Sequence, residues 1–195
     1  MNGSAKRWEL VRAHTRACIL EAAAEAFQSS GYDDTCMQQI ADLAGYTKAT
    51  IYAHYRDKAR LFTAVMNLHA SSLPEPVVHA HPGADLKDEL DYVSLEIQKL
   101  AQLDVCRRFC GALRHSATET TAYAELWSAY LAPFRAYICS ALARKGVERA
   151  EDHASLYLQL LLQAHSLQVS PLPATNAGAM LSVFHRAFQG YSSHG

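Results

Sequence analysis

The stretch TCMQQIADLAGYTKATIYAHYRDKARL, residues 35–61, constrains this chain more than any other. It holds two short segments with helical apolar spacing, separated by one glycine. Thr35, with Gln38 three places on, fits an N-cap and capping box for the first segment. Ile40, Leu43 and Ala44 give that segment an apolar face. Gly45 supplies the permissive backbone position that a sharp turn demands, and Thr47 caps the next segment. Ile51 and Tyr55, four apart, face back toward the first segment, which leaves Lys48, Thr50, Tyr52 and His54 among the more outward positions. Two helices crossing steeply over so short a turn form a helix-turn-helix unit.

Helix pairs with glycine turns also occur in all-helical enzymes and bundles, so the turn alone does not specify a function. The outer face of the second helix is small and polar, and such a face fits against base edges in a DNA major groove. Lys48, Ala49 and Thr50 are the base-contact candidates. Lysine donates to guanine, threonine donates or accepts, and alanine meets the thymine methyl. Thr47, Tyr52, His54 and Lys58 are placed for phosphates, which fix register without reading sequence.

Three pieces in order, ILEAAAEAFQSSGYDDT (19–35), IADLAGYTKATIYAHY (40–55) and RDKARLF (56–62), resemble the N-terminal DNA-binding domain of the TetR family of bacterial transcriptional repressors. The resemblance covers residues 12–65, and beyond them it rests on length and helical pattern. It implies a three-helix head that binds one half-site of a palindromic operator, and C-terminal helices that form a dimer and a ligand pocket. It also implies phosphate contacts at Thr35, Tyr52, His54 and Lys58, and a core role for Tyr55. Cys36, Tyr46 and Ala49 depart from the residues commonest in the family. These departures bear on which operator is read and remove no required donor.

The whole pattern is all-α, with nine helical segments and no convincing strand. Residues 1–11 read as a flexible arm carrying Lys6 and Arg7, residues 12–56 as the DNA-binding domain, and residues 57–190 as a helical ligand-binding and dimerisation domain. In the head, Ile19, Ala23 and Phe27 form one stripe that Gly31 ends. Asp57 is placed to cap a helix over 58–73, with Leu61, Phe62, Val65, Met66 and Leu68 as its apolar positions; this helix is the expected mechanical link to the body. Pro74, Pro76, Pro82 and Gly83 mark a loop. Helices are then expected over 86–103, from 104, over 117–144 with a kink or boundary at Pro133, over 151–169, and over 176–188.

The segment at 156–169 is apolar on more than one face, which calls for cover from a second subunit. Leu156, Leu160, Met180, Leu181, Phe184 and Phe188 are the dimer-interface candidates, in a four-helix bundle with their symmetry mates. Met66, Phe109, Tyr123, Trp127, Tyr130 and Leu161 are the candidates for lining a pocket, and they imply an apolar or aromatic effector.

Charge and composition narrow the alternatives. The net charge is -1; residues 1–70 hold eight Lys/Arg against seven Asp/Glu, and residues 71–195 hold ten against twelve. Strong nonspecific nucleic-acid affinity is therefore not expected, whereas specific binding depends on where the charges sit. The polar start, MNGSAKRWEL, and the lack of an apolar run of membrane-spanning length point to a cytoplasmic protein. Five cysteines without a CxxC pair do not make a disulfide framework or zinc knuckle. No third ligand accompanies His79 and His81, so no metal is expected, and no cofactor either. Glycine-rich phosphate loops, HExxH and nucleophile elbows are all missing, so an enzyme is not expected. Two further readings are a helical interaction module without operator binding and a redox-responsive regulator using Cys106 and Cys110.

Overall fold

The computed structural model describes residues 3–79, 85–114, 121–169 and 177–188. Among them are nine helices and no strand: α1 (Gly3–Asp34), α2 (Met37–Ala44), α3 (Lys48–His54), α4 (Lys58–Ser71), α5 (Leu86–Gln102), α6 (Asp104–Arg114), α7 (Thr121–Arg144), α8 (Ala150–Ala164) and α9 (Ala177–Phe188). Packing divides the chain into two units. The head runs to Leu73 and includes the part of α6 from Arg108; the body takes the remainder. Packing thus keeps α4 with the head.

Residues 3–11, expected as a flexible arm, are the opening turns of α1. The helical segment breaks at Gly31, whose φ of 75° only glycine adopts at little cost. The expected stripe of Ile19, Ala23 and Phe27 is fully buried. Phe62 of α4 meets Phe27 edge-on at 5.0 Å and Tyr32 at 5.0 Å, the offset geometry that aromatic quadrupoles favour. Leu61, Val65 and Met66 complete that face of α4, while Leu68 points outward and His69 takes the next inward position. On the other side of the head, Arg108 pairs with Glu21 at 2.5 Å. A Cβ on Gly111 would stand 3.0 Å from Gln28 Cγ, so a larger residue there needs the Gln28 side chain to shift.

In the body, α5, α7, α8 and α9 pack on one another. Leu90, Val93 and Ile97 of α5 and Phe134, Ile138 and Leu142 of α7 supply the core. Glu89 is buried among them and is paired with Arg144, and it also accepts a hydrogen bond from the Tyr137 hydroxyl at 3.3 Å. Those partners satisfy a carboxylate that would be costly to bury alone. The Tyr157 hydroxyl donates to the Leu90 carbonyl at 3.1 Å.

Of the alternatives open at Pro133, one long helix is found, and the end of the next helix moves. Helix α7 runs through Pro133 without ending; Pro133 and Ala129 are both exposed, so water can satisfy the Ala129 carbonyl that loses its helical donor. Helix α8 stops at Ala164 rather than at 169. There Ser166 adopts a φ of 57°, its N–H bonds the Gln163 carbonyl at 3.2 Å and the Leu167 N–H bonds the Leu162 carbonyl at 2.8 Å. This closing turn buries Leu167 and sets the direction of Gln168 and Val169.

Candidate nucleic-acid interface and ligand pocket

The turn between α2 and α3 is built by backbone chemistry. Gly45 sits at φ 70°, its N–H bonds the Asp42 carbonyl at 3.3 Å, and the Tyr46 N–H bonds the Ala41 carbonyl at 3.0 Å. That paired pattern closes α2 and aims the chain into α3. The start of α2 differs from expectation. Cys36, not Thr35, is its N-cap, with Sγ accepting from the Gln39 N–H at 3.4 Å. Thr35 is buried, and its hydroxyl donates inward to the carbonyls of Gly31 (2.6 Å) and Ala26 (3.1 Å). Leu43 also differs: it is exposed, and Met37, Ile40 and Ala41 form the buried face of α2.

Helix α3 is only seven residues long, and tertiary contacts hold it. Thr47 caps it through Oγ1, which accepts from the Thr50 N–H at 3.2 Å and also bonds the Thr50 hydroxyl at 2.9 Å. Ile51 and Tyr55 anchor the opposite side in the core of the head. Arg16 of α1 donates from Nε to the Tyr55 hydroxyl at 3.1 Å, with its guanidinium 5.6 Å from the ring centre. The outward face is then Lys48, Ala49, Tyr52 and Ala53, all exposed. Positions spaced by one, four and five lie along one side of a helix. The Lys48 ammonium lies 6.0 Å over the Tyr52 ring, within cation–π range.

The structure therefore brings Thr47, Lys48, Ala49 and Tyr52 together on one exposed surface, with Thr50 and His54 half-buried at its edge. Ala53 shares this face and was not singled out by the sequence, because an alanine carries no chemical signature. Lys58 and Thr35 are placed differently. The Lys58 ammonium donates to the carbonyls of Tyr32 (2.7 Å), Thr35 (3.0 Å) and Asp33 (3.2 Å), and it lies 4.4 Å from the Tyr32 ring centre. All three of its donors are engaged in tying α4 to the end of α1.

The body holds a pocket of about 340 Å³ between α7 and α8. Trp127, Leu131, Leu158 and Leu162 form its apolar wall, and Ser128, Ser155, Gln159 and Gln168 its polar positions. Arg135 is the charged residue in the lining. Of the sequence candidates, Trp127 lines this pocket, and Tyr130 stacks against Trp127 at 5.1 Å without lining it. Leu161 is buried and Tyr123 half-buried elsewhere in the body, while Met66 and Phe109 belong to the core of the head. Arg135 and Gln168 lay outside the candidate set, since both sit where periodicity marks an ordinary helix surface or a helix continuation.

Among the dimer candidates, Leu156 and Met180 are exposed and Leu181 half-buried, and Val183 joins them as an exposed apolar residue. Leu160 and Phe184 face inward, Phe184 packing on Tyr157 at 4.9 Å. Phe188 lies in α9, with its side chain outside the described residues. Cys106 and Cys110 are both buried, and burial pushes the Cys106 thiol up to about 11. Thiolate chemistry is thereby disfavoured. The His79 N–H donates to the Tyr92 hydroxyl at 3.0 Å, and His81 lies outside the described residues. Among the described residues no three metal-ligating side chains converge, and no helix is long and apolar enough to cross a membrane.

Comparison with known proteins agrees with the geometry of the head. Residues 19–65 match the family described as "Bacterial regulatory proteins, tetR family". The chain is 35% identical over 113 residues to the probable HTH-type transcriptional regulator ArpR of Pseudomonas putida, covering 55% of this chain and 52% of that one. It is 34% identical over 113 residues, with the same coverage, to the HTH-type transcriptional regulator TtgR, also of Pseudomonas putida. The chain thus spans about half the length of the curated relatives it matches. Among solved structures, NalD of Pseudomonas aeruginosa, the secondary repressor of the MexAB-OprM multidrug efflux pump, superimposes over 89% of this chain and 96% of its own. Its TM-score is 0.52 at 25% identity. The chain carries the all-α architecture of that regulator, and residues 19–65 of the head, which hold the helix-turn-helix, are similar to the tetR family of bacterial regulatory proteins.

Proposed function

We propose that the chain is a sequence-specific DNA-binding transcriptional regulator that acts as a dimeric repressor and is released from a palindromic operator by a small-molecule effector. The observation that carries this reading is the exposed face of α3. Lys48, Ala49 and Tyr52 stand outward together while Ile51 and Tyr55 fix the helix from behind. A rigidly held helix with small and polar outward residues is what insertion into a major groove requires. Lys48 and Ala49 meet base edges, with Thr50 beside them; Thr47, Tyr52 and His54 meet phosphates. The named regulators matched by the head, and the repressor role of NalD, support the same reading.

The exposed apolar residues Leu156, Met180 and Val183 of α8 and α9 form the surface on which a second copy packs. Two copies present two recognition helices to half-sites roughly 34–36 Å apart, one turn of DNA. An effector in the α7–α8 pocket acts by population shift. It weakens operator binding only by the difference between its affinities for the DNA-bound and free states of the dimer. A regulator of this kind works in the compartment that holds the chromosome, and its body does no chemistry. The redox alternative is disfavoured by the burial of Cys106 and Cys110.

The test is stoichiometry. Sedimentation of the protein with a duplex that it enriches from random sequence is expected to show two chains per palindromic site. One chain per site, or dimers that bind only without sequence preference, would contradict the proposal.

A further inference from the structure

We infer that the α7–α8 pocket takes a carboxylate-bearing amphiphile with a flat apolar body and a hydrogen-bond donor at the end opposite the carboxylate. The inference deepens the effector role proposed above, and it depends on that role only for the consequence on DNA.

Helices α7 and α8 are joined by the short connection 145–149 and pack as neighbours, so they run antiparallel. Residues late in α7 therefore lie beside residues early in α8. All of the lining residues belong to these helices or to the chain just after α8, and the antiparallel run therefore sets Arg135 and Ser155 toward one end and Trp127, with Gln168 and Val169 beyond the end of α8, toward the other. Eight residues of helix separate Trp127 from Arg135, about 12 Å at 1.5 Å per residue. Between the ends, Leu131, Leu158 and Leu162 make the wall apolar.

The two ends differ in charge and in hydrogen-bonding need. Arg135 is exposed at the mouth, and among the described residues it has no ion-pair or hydrogen-bond partner. No acidic residue shares the lining with it. A guanidinium in that setting offers a planar pair of donors to a carboxylate and gives nothing to a cationic ligand. At the other end, the Gln168 side-chain oxygen is buried and has no hydrogen-bond partner among the described residues. A buried acceptor left unmatched is costly, and a ligand hydroxyl placed there removes the cost. The Trp127 ring, stacked on the parallel ring of Tyr130, lies in the lining of the same pocket with little of its surface exposed, so a flat apolar ligand body is the shape that packs beside it. A volume of about 340 Å³ suits a compact ligand, at the lower end of the usual range.

The probe is 6-hydroxy-2-naphthoate, which carries a carboxylate and a hydroxyl at opposite ends of a flat body. Its comparators are 6-hydroxy-2-naphthamide, which lacks the charge, and 2-naphthoate, which lacks the hydroxyl. Binding is read by calorimetry and by quenching of Trp127, in a Trp8→Phe background that leaves Trp127 as the sole tryptophan. The protein is first unfolded and refolded to strip any carried ligand. The hydroxynaphthoate is expected to bind about tenfold or more tightly than the amide, the effect of one charge-assisted hydrogen bond. Arg135→Gln is expected to erase that difference by weakening the carboxylate alone. Gln168→Leu is expected to erase the preference for hydroxynaphthoate over naphthoate. Equal affinity for carboxylate and amide, unchanged selectivity in Arg135→Gln, or binding that leaves Trp127 emission untouched would each overturn the inference. Selective binding that leaves operator affinity unmoved would support the pocket chemistry and contradict the effector role.

Discussion

Replacing Lys58 by methionine separates two roles that a lysine at the start of α4 can have. As a phosphate contact it would contribute to DNA affinity and leave folding stability untouched. In the structure its ammonium instead reaches three carbonyls at 2.7, 3.0 and 3.2 Å and faces the Tyr32 ring at 4.4 Å. A hydrogen bond to a charged group contributes about 1.5–3 kcal/mol. These three are not additive, because the site is half-buried and water reaches the carbonyls when the ammonium is gone. Counting one full bond and a cation–π contact of about 0.5–1 kcal/mol, Lys58→Met costs about 2–4 kcal/mol. For a chain of this length that lowers the melting temperature by roughly 4–16 °C. Lys58→Arg recovers little, since a planar fork does not converge on three carbonyls as an ammonium does. Calorimetry reads the stability. Fluorescence anisotropy with duplex DNA at several salt concentrations, below the melting range, reads the contact. The slope of log affinity against log salt is expected to stay unchanged. An unchanged melting temperature with a slope reduced by about 0.9 per head would refute the reasoning and restore the phosphate role.

The outward face of α3 gives a paired prediction: Lys48→Ala weakens binding and relaxes preference at one base position, while Tyr52→Phe weakens binding evenly across sequences. Anisotropy against a panel of single-base operator variants reads both, and unchanged binding in the two folded variants would sink this assignment of the recognition helix. Gly45→Ala has free space for its new methyl group but keeps a φ of +70°, so it is expected to cost about 1 kcal/mol through backbone strain alone. Urea denaturation checks this, and an unchanged midpoint would mean that the turn relaxes away from its left-handed geometry. Burial of the Cys106 thiol has a pH signature. The unfolded chain releases that proton near pH 8.5 and the folded chain only near 11, so the thiol's contribution is intact below pH 8.5 and falls as pH rises toward 11. Cys106→Ala is expected to flatten that alkaline decline in a thermal-melting series. An identical decline in the variant would show that the thiol ionises freely in the folded chain.

Residues with strong local preferences told most of this story in advance. Gly45 and Thr47 declared a turn and a cap because their roles depend on their own backbone and on neighbours three residues away. Asp57 did the same, and its carboxylate accepts from the Arg60 N–H at 2.7 Å. The stripe of Ile19, Ala23 and Phe27 was legible from helical spacing, since every member is apolar and inward. What escaped depended on distant partners. Thr35 looks like a cap from its sequence neighbours, but Gly31 bends the backbone so that its hydroxyl meets the carbonyls of Ala26 and Gly31. That moves the cap to Cys36, a residue with no reputation for capping. Lys58 has the composition of a DNA contact, and only the folded end of α1 supplies the three carbonyls that claim it. The pocket was hidden for another reason. Ser166 closes α8 early in a left-handed conformation that serine rarely adopts, and Gln168, just past this turn, joins Trp127 in the lining. Leu160 and Phe184 show the limit of periodicity: an apolar position on an amphipathic helix does not say which of two partners covers it.

The most direct test of the account is selection of random duplex DNA by the purified, refolded protein, with the enriched sequence scored by salt-dependent binding. The account predicts an inverted repeat whose half-site centres lie one turn or a small multiple of it apart, bound by a dimer and lost when Lys48 becomes alanine. A folded dimer that enriches no motif, or one whose motif is indifferent to changes on the exposed face of α3, would contradict it.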